Sequence, residues 1–200
     1  MTDVVFVLDR SGSMAGLESD TIGGYNSLLD KQRESKEDVR VTTVLFDDRY
    51  ELLHNRVDIK DVKPITKEDY YVRGCTALYD AVGKTINLLE RSAGEKVLFV
   101  ITTDGLENAS VEFRNYDVRR MIDAQKEKGW EFLFLGANID ATAAAEDIGI
   151  RRDRSANYRS DRRGVQTQYR CLESVVDEFV MTGCVSSNWS EEIENDLNER

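Results

Sequence analysis

Val4-Val5-Phe6-Val7-Leu8-Asp9-Arg10-Ser11-Gly12-Ser13 is the stretch that decides how this chain folds. Its apolar run is rich in β-branched and aromatic residues and has no polar face. It therefore predicts a strand buried on both sides, as inside a parallel sheet. The run stops at Asp9, and hydroxyls follow at alternate positions, Ser11 and Ser13, before a helical pattern starts. A carboxylate and two hydroxyls close together at a strand end are hard oxygen ligands, suited to Mg²⁺, Mn²⁺ or Ca²⁺ and poorly to zinc. The same residues also serve as ordinary helix caps, so this segment alone leaves both roles open.

Reading outward, Val97–Ile101 and Phe132–Leu135 are further short apolar runs of the same kind. Val39–Phe46 and Tyr50–Ile59 flank Asp47-Asp48-Arg49, which predicts an antiparallel hairpin at a sheet edge, with Asp47 and Asp48 as turn residues. Helical spacing relates Ile22, Tyr25, Leu28 and Leu29. It also relates Leu78, Ala81, Val82, Ile86 and Leu89, and, more weakly, Val118, Met121, Ile122 and Gln125. Asp140 is placed to cap a short helix over 141–148. Ser155–Tyr158 reads as a last short strand, and Val165, Tyr169, Leu172, Val176, Phe179 and Val180 mark a final helix. Gly23-Gly24 interrupts the first helical pattern, which fits close packing of that helix on the sheet or an irregular turn. One domain over 1–183 is expected, with an acidic tail over 184–200 that Trp189 pins or that frays.

The alternation of strands and helices predicts an α/β fold with a doubly wound, mostly parallel open sheet, one antiparallel edge strand and helices on both faces. Ligands of such sheets bind beyond the carboxyl ends of the strands, where strand order reverses. Asp9 and Asp104 each stand at such an end, and flanking the reversal would bring them together.

A length of 200 residues fits one domain, and a net charge of −11 argues against nucleic-acid binding, which needs a basic face. The arginines of 151–163 alternate with Asp and read as a solvated loop. No apolar run is long enough to cross a membrane, and no leader pattern is visible. The odd cysteines Cys75, Cys171 and Cys184 lack metal-type spacing and fit reduced thiols in a cytoplasm, with Cys75 partly buried.

Three segments now line up: Asp9-x-Ser11-x-Ser13 after the first strand, Gly74-Cys75-Thr76-Ala77 before a long helix, and Thr102-Thr103-Asp104-Gly105 at a strand end. Taken singly, Thr76 reads as a plain N-cap and Asp104-Gly105 as a turn. Together, the three segments resemble a von Willebrand factor A domain with its metal-ion-dependent adhesion site, over about residues 3–182. The resemblance implies the Rossmann-like doubly wound fold and direct metal ligation by Ser11 and Ser13. It implies ligation by Thr76, Asp9 and Asp104 either directly or through water. It further implies a stand-alone bacterial or phage-type cytoplasmic member, and in such a domain the last helix, here Val165–Thr182, can be coupled to the site.

The expected function is a monomeric, metal-dependent protein-binding module, an adaptor or accessory subunit and not an enzyme. Mg²⁺ is the expected cation, with Mn²⁺ or Ca²⁺ as substitutes, and a partner's Asp or Glu is the expected ligand. Met14, Gly74, Glu107 and Asn108 are expected at the partner-binding rim. The main rival is a Mg²⁺-dependent phosphatase using Asp9 as nucleophile. That chemistry needs a second Asp two residues on as general acid and base, where Ser11 stands. No P-loop or dinucleotide fingerprint occurs, and the single histidine, His54, falls on the predicted edge hairpin, away from the Ser residues.

Overall fold

The computed structural model of the chain describes residues 1–34 and 37–199. Six strands form one sheet: β1 (Thr2–Asp9), β2 (Val39–Phe46), β3 (Tyr50–Asp58), β4 (Lys96–Thr103), β5 (Glu131–Gly136) and β6 (Ser155–Asn157), in the order β3-β2-β1-β4-β5-β6. All neighbours are parallel except β2 and β3, which form the expected hairpin at one edge. The helices are α1 (Glu18–Glu34), α2 (Leu78–Leu89), α3 (Asn115–Lys126), α4 (Ala141–Asp147), α5 (Arg162–Thr182) and α6 (Glu191–Asn198).

Alternate residues of each central strand serve different cores, because successive side chains leave a strand on opposite faces. Val4, Phe6, Leu8, Leu98, Val100, Leu133 and Leu135 pack with α1, α5 and α6. Val5, Val7, Val97, Phe99, Ile101, Phe132 and Phe134 pack with α2, α3 and α4. This division makes the strand runs wholly apolar while each helix keeps one apolar stripe.

Strand order reverses at β1, which pairs with β2 on one side and β4 on the other. Leu8 lies opposite Thr102, so Asp9 and the Thr103-Asp104 turn leave adjacent strands side by side. This register brings the first and third sequence motifs together.

Two expectations are corrected here. Gly24 answers to a helix and not to the sheet: a Cβ there would lie 2.3 Å from the Tyr169 ring of α5, whereas Gly23 faces open space. Cys75 is exposed rather than partly buried, because it sits at the crest of the loop before α2. The Asp140 cap does form, its carboxylate accepting the Ala143 N–H at 3.0 Å. The arginines of 151–163 pair within the chain, among them Arg151 with Asp153, Arg154 with Glu131 and Arg159 with Asp161. Beyond Gly183 the chain packs Val185, Trp189 and Ile193 onto the α5 side of the core, and α6 is tied there by Arg163 to Asp196 at 2.6 Å. No described helix is long and apolar enough to cross a membrane.

Candidate metal centre

Three loops at the carboxyl edge of the sheet carry the residues singled out by sequence. The first runs from Asp9 through a single 3-10 turn, Gly12–Met14. The second, 71–77, leads into α2, and the third follows β4 through Asp104 to the start of α3.

All five oxygen-bearing side chains converge. The Ser11 and Ser13 hydroxyl oxygens lie 3.1 Å apart, and the Thr76 hydroxyl donates to Ser11 at 3.1 Å. Ser13 donates to Asp104 Oδ1. Asp9 accepts the Ser11 N–H on Oδ1 and the Thr103 hydroxyl on Oδ2, each at 2.6 Å, which turns it inward beside the cluster. The plain capping role fails for Thr76, whose hydroxyl faces Ser11 and makes no cap bond to α2. Asp9 does close an Asx-type turn on Ser11, a role compatible with lone pairs left for a further partner.

Burial disfavours the ionised form of both carboxylates. Burial pushes the Asp9 carboxyl up to about 6, against the opposing hydrogen bonds from Thr103 and Ser11. Burial also raises Asp104, partly offset by the Ser13 hydroxyl. Asp104 Oδ2 is buried with no hydrogen-bond partner, an arrangement native interiors rarely tolerate. Gly105 lets the third loop approach the hydroxyls closely: a Cβ there would lie 2.8 Å from the Thr76 hydroxyl and 3.2 Å from that of Ser13. Two buried carboxylates and three hydroxyls, that of Ser13 on an exposed residue, fit a hard divalent cation. Among the described residues, no three His, Cys, Asp or Glu side chains gather as metal ligands, so a cation here depends on the hydroxyls.

The rim differs from expectation at one residue. Met14 is 1% exposed, so it anchors the first loop from beneath and presents nothing to a partner. Its loop position predicted exposure, but the 3-10 turn rotates it into the fold. Gly74 is exposed, with φ +64°, and its carbonyl accepts the Gly12 N–H at 3.2 Å. Asn108 is exposed, and its side chain accepts the Thr76 N–H at 2.9 Å. Glu107 has both carboxylate oxygens occupied, by the N–H groups of Tyr79, Ala109 and Ser110 and by the Ser110 hydroxyl. Asn108 and Glu107 therefore clasp the third loop to the second loop and to α2.

Sequence reasoning passed over Arg10, whose side chain is 0% exposed. Its guanidinium donates to Asp47 at 3.0 Å, to Glu51 at 2.5 Å and to the Asp69 carbonyl at 3.0 Å. No signal in the motif marks it, since an arginine after a strand end ordinarily reaches solvent.

Solved structures share this architecture at low identity. The von Willebrand factor domain of the type V pili tip protein Mfa5 from Porphyromonas gingivalis superposes with a TM-score of 0.67 at 11% identity, covering 92% of this chain and 98% of that one. A von Willebrand factor type A protein from Catenulispora acidiphila gives a TM-score of 0.64 at 13% identity, covering 87% of this chain and 42% of that one. Proximal thread matrix protein 1 from the mussel byssus, in a structure described as having a zinc-occupied MIDAS motif, gives 0.60 at 16% identity. There, 92% of this chain is covered, and the chain spans 46% of the mussel protein. At these identities the likeness shows the fold alone. No curated protein matches the chain. The sequence profile of the von Willebrand factor type A domain, however, matches residues 3–170, and the chain belongs to that family.

Proposed function

We propose that this domain binds a divalent cation, Mg²⁺ foremost, on Asp9, Ser11, Ser13, Thr76 and Asp104, and uses it to hold an acidic side chain of a partner protein. Domains of this family are often metal-dependent protein-interaction modules. The observation that carries the reading is Asp104 Oδ2, buried and unpartnered beside three clustered hydroxyls. A cation supplies the partner this oxygen lacks.

The charge balance explains why such a centre recruits a ligand. Two carboxylates just neutralise a divalent cation, and the remaining protein ligands are neutral hydroxyls. Held by these residues, a divalent cation would have a coordination position left for water or an outside oxygen, and a carboxylate would be the stronger donor there. Ser13 is exposed, so the centre meets solvent at that hydroxyl. A role as adaptor or accessory subunit is the reading we attach to this chemistry. The phosphatase alternative gains nothing from the geometry. The position where a general acid would stand carries the Ser11 hydroxyl, which accepts from Thr76 and lies 3.1 Å from the Ser13 hydroxyl.

The functional test is capture of partners by the tagged protein in Mg²⁺ and in EDTA. Metal-bridged recognition predicts partners retained in Mg²⁺ and released by EDTA. Capture that is equal in both contradicts it.

A pH dependence follows. In the metal-free protein, Asp9 has a folded pKa of about 6 against an ordinary 3.8. Its contribution to stability is full below the lower value and is lost as pH rises through the upper one. A cation binds the ionised form and reverses that loss. The rise in Tm on adding Mg²⁺ is therefore expected to be small below about pH 5 and full above about pH 7. Thermal melts across this range, with and without Mg²⁺, measure it.

A further inference from the structure

Asp47 stands between the first two loops of the centre and touches both. Its side chain is 0% exposed, at the turn joining β2 to β3. Its Oδ2 accepts from Arg10 Nε at 3.0 Å and from Arg73 Nε at 2.6 Å, and its backbone carbonyl accepts the Ala77 N–H at 2.9 Å. Arg10 lies between Asp9 and Ser11 in the first loop, while Arg73 and Ala77 bracket Thr76 in the second. The backbones repeat the tie, with Arg73 N–H donating to the Arg10 carbonyl at 3.0 Å. The Tyr71 ring lies 5.3 Å from each guanidinium carbon.

A single carboxylate oxygen thus fixes two cations that belong to different loops. That oxygen joins the backbone ties and the Thr76–Ser11 hydrogen bond in relating the loop carrying Ser11 and Ser13 to the loop carrying Thr76, and among the described residues it is the one ionic link between them. Hydroxyl ligands have no net charge with which to be drawn onto a cation, so their spacing has to be set beforehand by the surrounding structure.

We infer that Asp47 is a positioning residue of the metal centre: by holding Arg10 and Arg73 together it sets the spacing of Ser11 and Ser13 against Thr76, and so the cation affinity, without touching the cation. The inference rests on the metal-binding reading above.

Arg73→Met tests it. Arg73 is partly exposed, and its loss leaves the buried Arg10–Asp47 pair in place, so the metal-free fold persists. The expected result is an Mg²⁺ affinity about 10-fold weaker by calorimetry, with the metal-free Tm close to wild type. Arg73→Lys keeps the charge but not the planar fork and is expected to fall between the two. Glu51→Gln removes a different ion pair of Arg10, one that makes no hydrogen bond to the second loop, and is expected to bind Mg²⁺ close to wild type. Wild-type affinity in Arg73→Met, or an equal loss in Glu51→Gln, overturns the inference. A wild-type protein that takes up no Mg²⁺ overturns the metal reading itself, and the inference with it.

Discussion

Asp104→Asn is expected to abolish the rise in Tm that Mg²⁺ gives the wild-type domain, while leaving the metal-free protein at least as stable as wild type. At a cation concentration about 100-fold above Kd, mass action adds about 2.7 kcal/mol, or a rise of about 5–10 °C for a domain of this size. Asn is nearly isosteric and still accepts the Ser13 hydroxyl through its oxygen, so the loop keeps its hydrogen bond. What it loses is the negative charge. In the metal-free protein that charge is a burden: the carboxyl is buried, its pKa is raised, and Oδ2 has no partner. Removing it relieves the metal-free state and disables the loaded one. An ordinary stabilising residue does the opposite, because its substitution lowers stability whether or not Mg²⁺ is present. Melts of both proteins in Mg²⁺ and in EDTA separate the two patterns.

Arg10→Met is expected to destabilise the domain by about 3–5 kcal/mol, the cost of removing one member of a buried ion pair. The methionine matches much of the aliphatic stem, so the loss lies in the guanidinium. Its removal takes one of two cations from fully buried Asp47 and leaves the Asp69 carbonyl without its donor. Glu51, by contrast, is 44% exposed and turns to water when its partner goes, so Glu51→Gln is expected to cost under about 1 kcal/mol. Urea unfolding of both variants gives the comparison. An Arg10→Met cost as small as that of Glu51→Gln would show that the buried pair is dispensable.

Arg10 also shows where reading the sequence stops. The central strands were legible because burial on both faces leaves an unmistakable apolar run, as in Val4–Leu8 and Val97–Ile101. The edge hairpin was legible from its turn, and α4 from Asp140. Ser11, Ser13 and Thr76 were grouped with the two carboxylates through the resemblance of the three motifs to the von Willebrand factor A family, whereas Asp9 and Asp104 were legible as neighbours because their strand-end positions, together with the reversal of strand order, bring them to one rim. Arg10 was not, because its burial is set by Asp47, Glu51 and Asp69, which lie 37, 41 and 59 residues away. Met14 failed for a related reason: whether a loop methionine points in or out is decided by one short 3-10 turn. The segment past Gly183 has few apolar residues, and its helix is held by Trp189, Ile193 and the Arg163–Asp196 pair, contacts that no local period encodes.

The central claim is that the five converging oxygens form a cation centre. The most direct measurement is the anomalous scattering of Mn²⁺ in crystals of the wild-type domain. The account predicts one strong peak among these five side chains, about 2.0–2.2 Å from the Ser11 and Ser13 hydroxyl oxygens, with a coordination position turned to solvent. Ordered crystals that show no peak there, or show Mn²⁺ bound only elsewhere on this acidic surface, would contradict it.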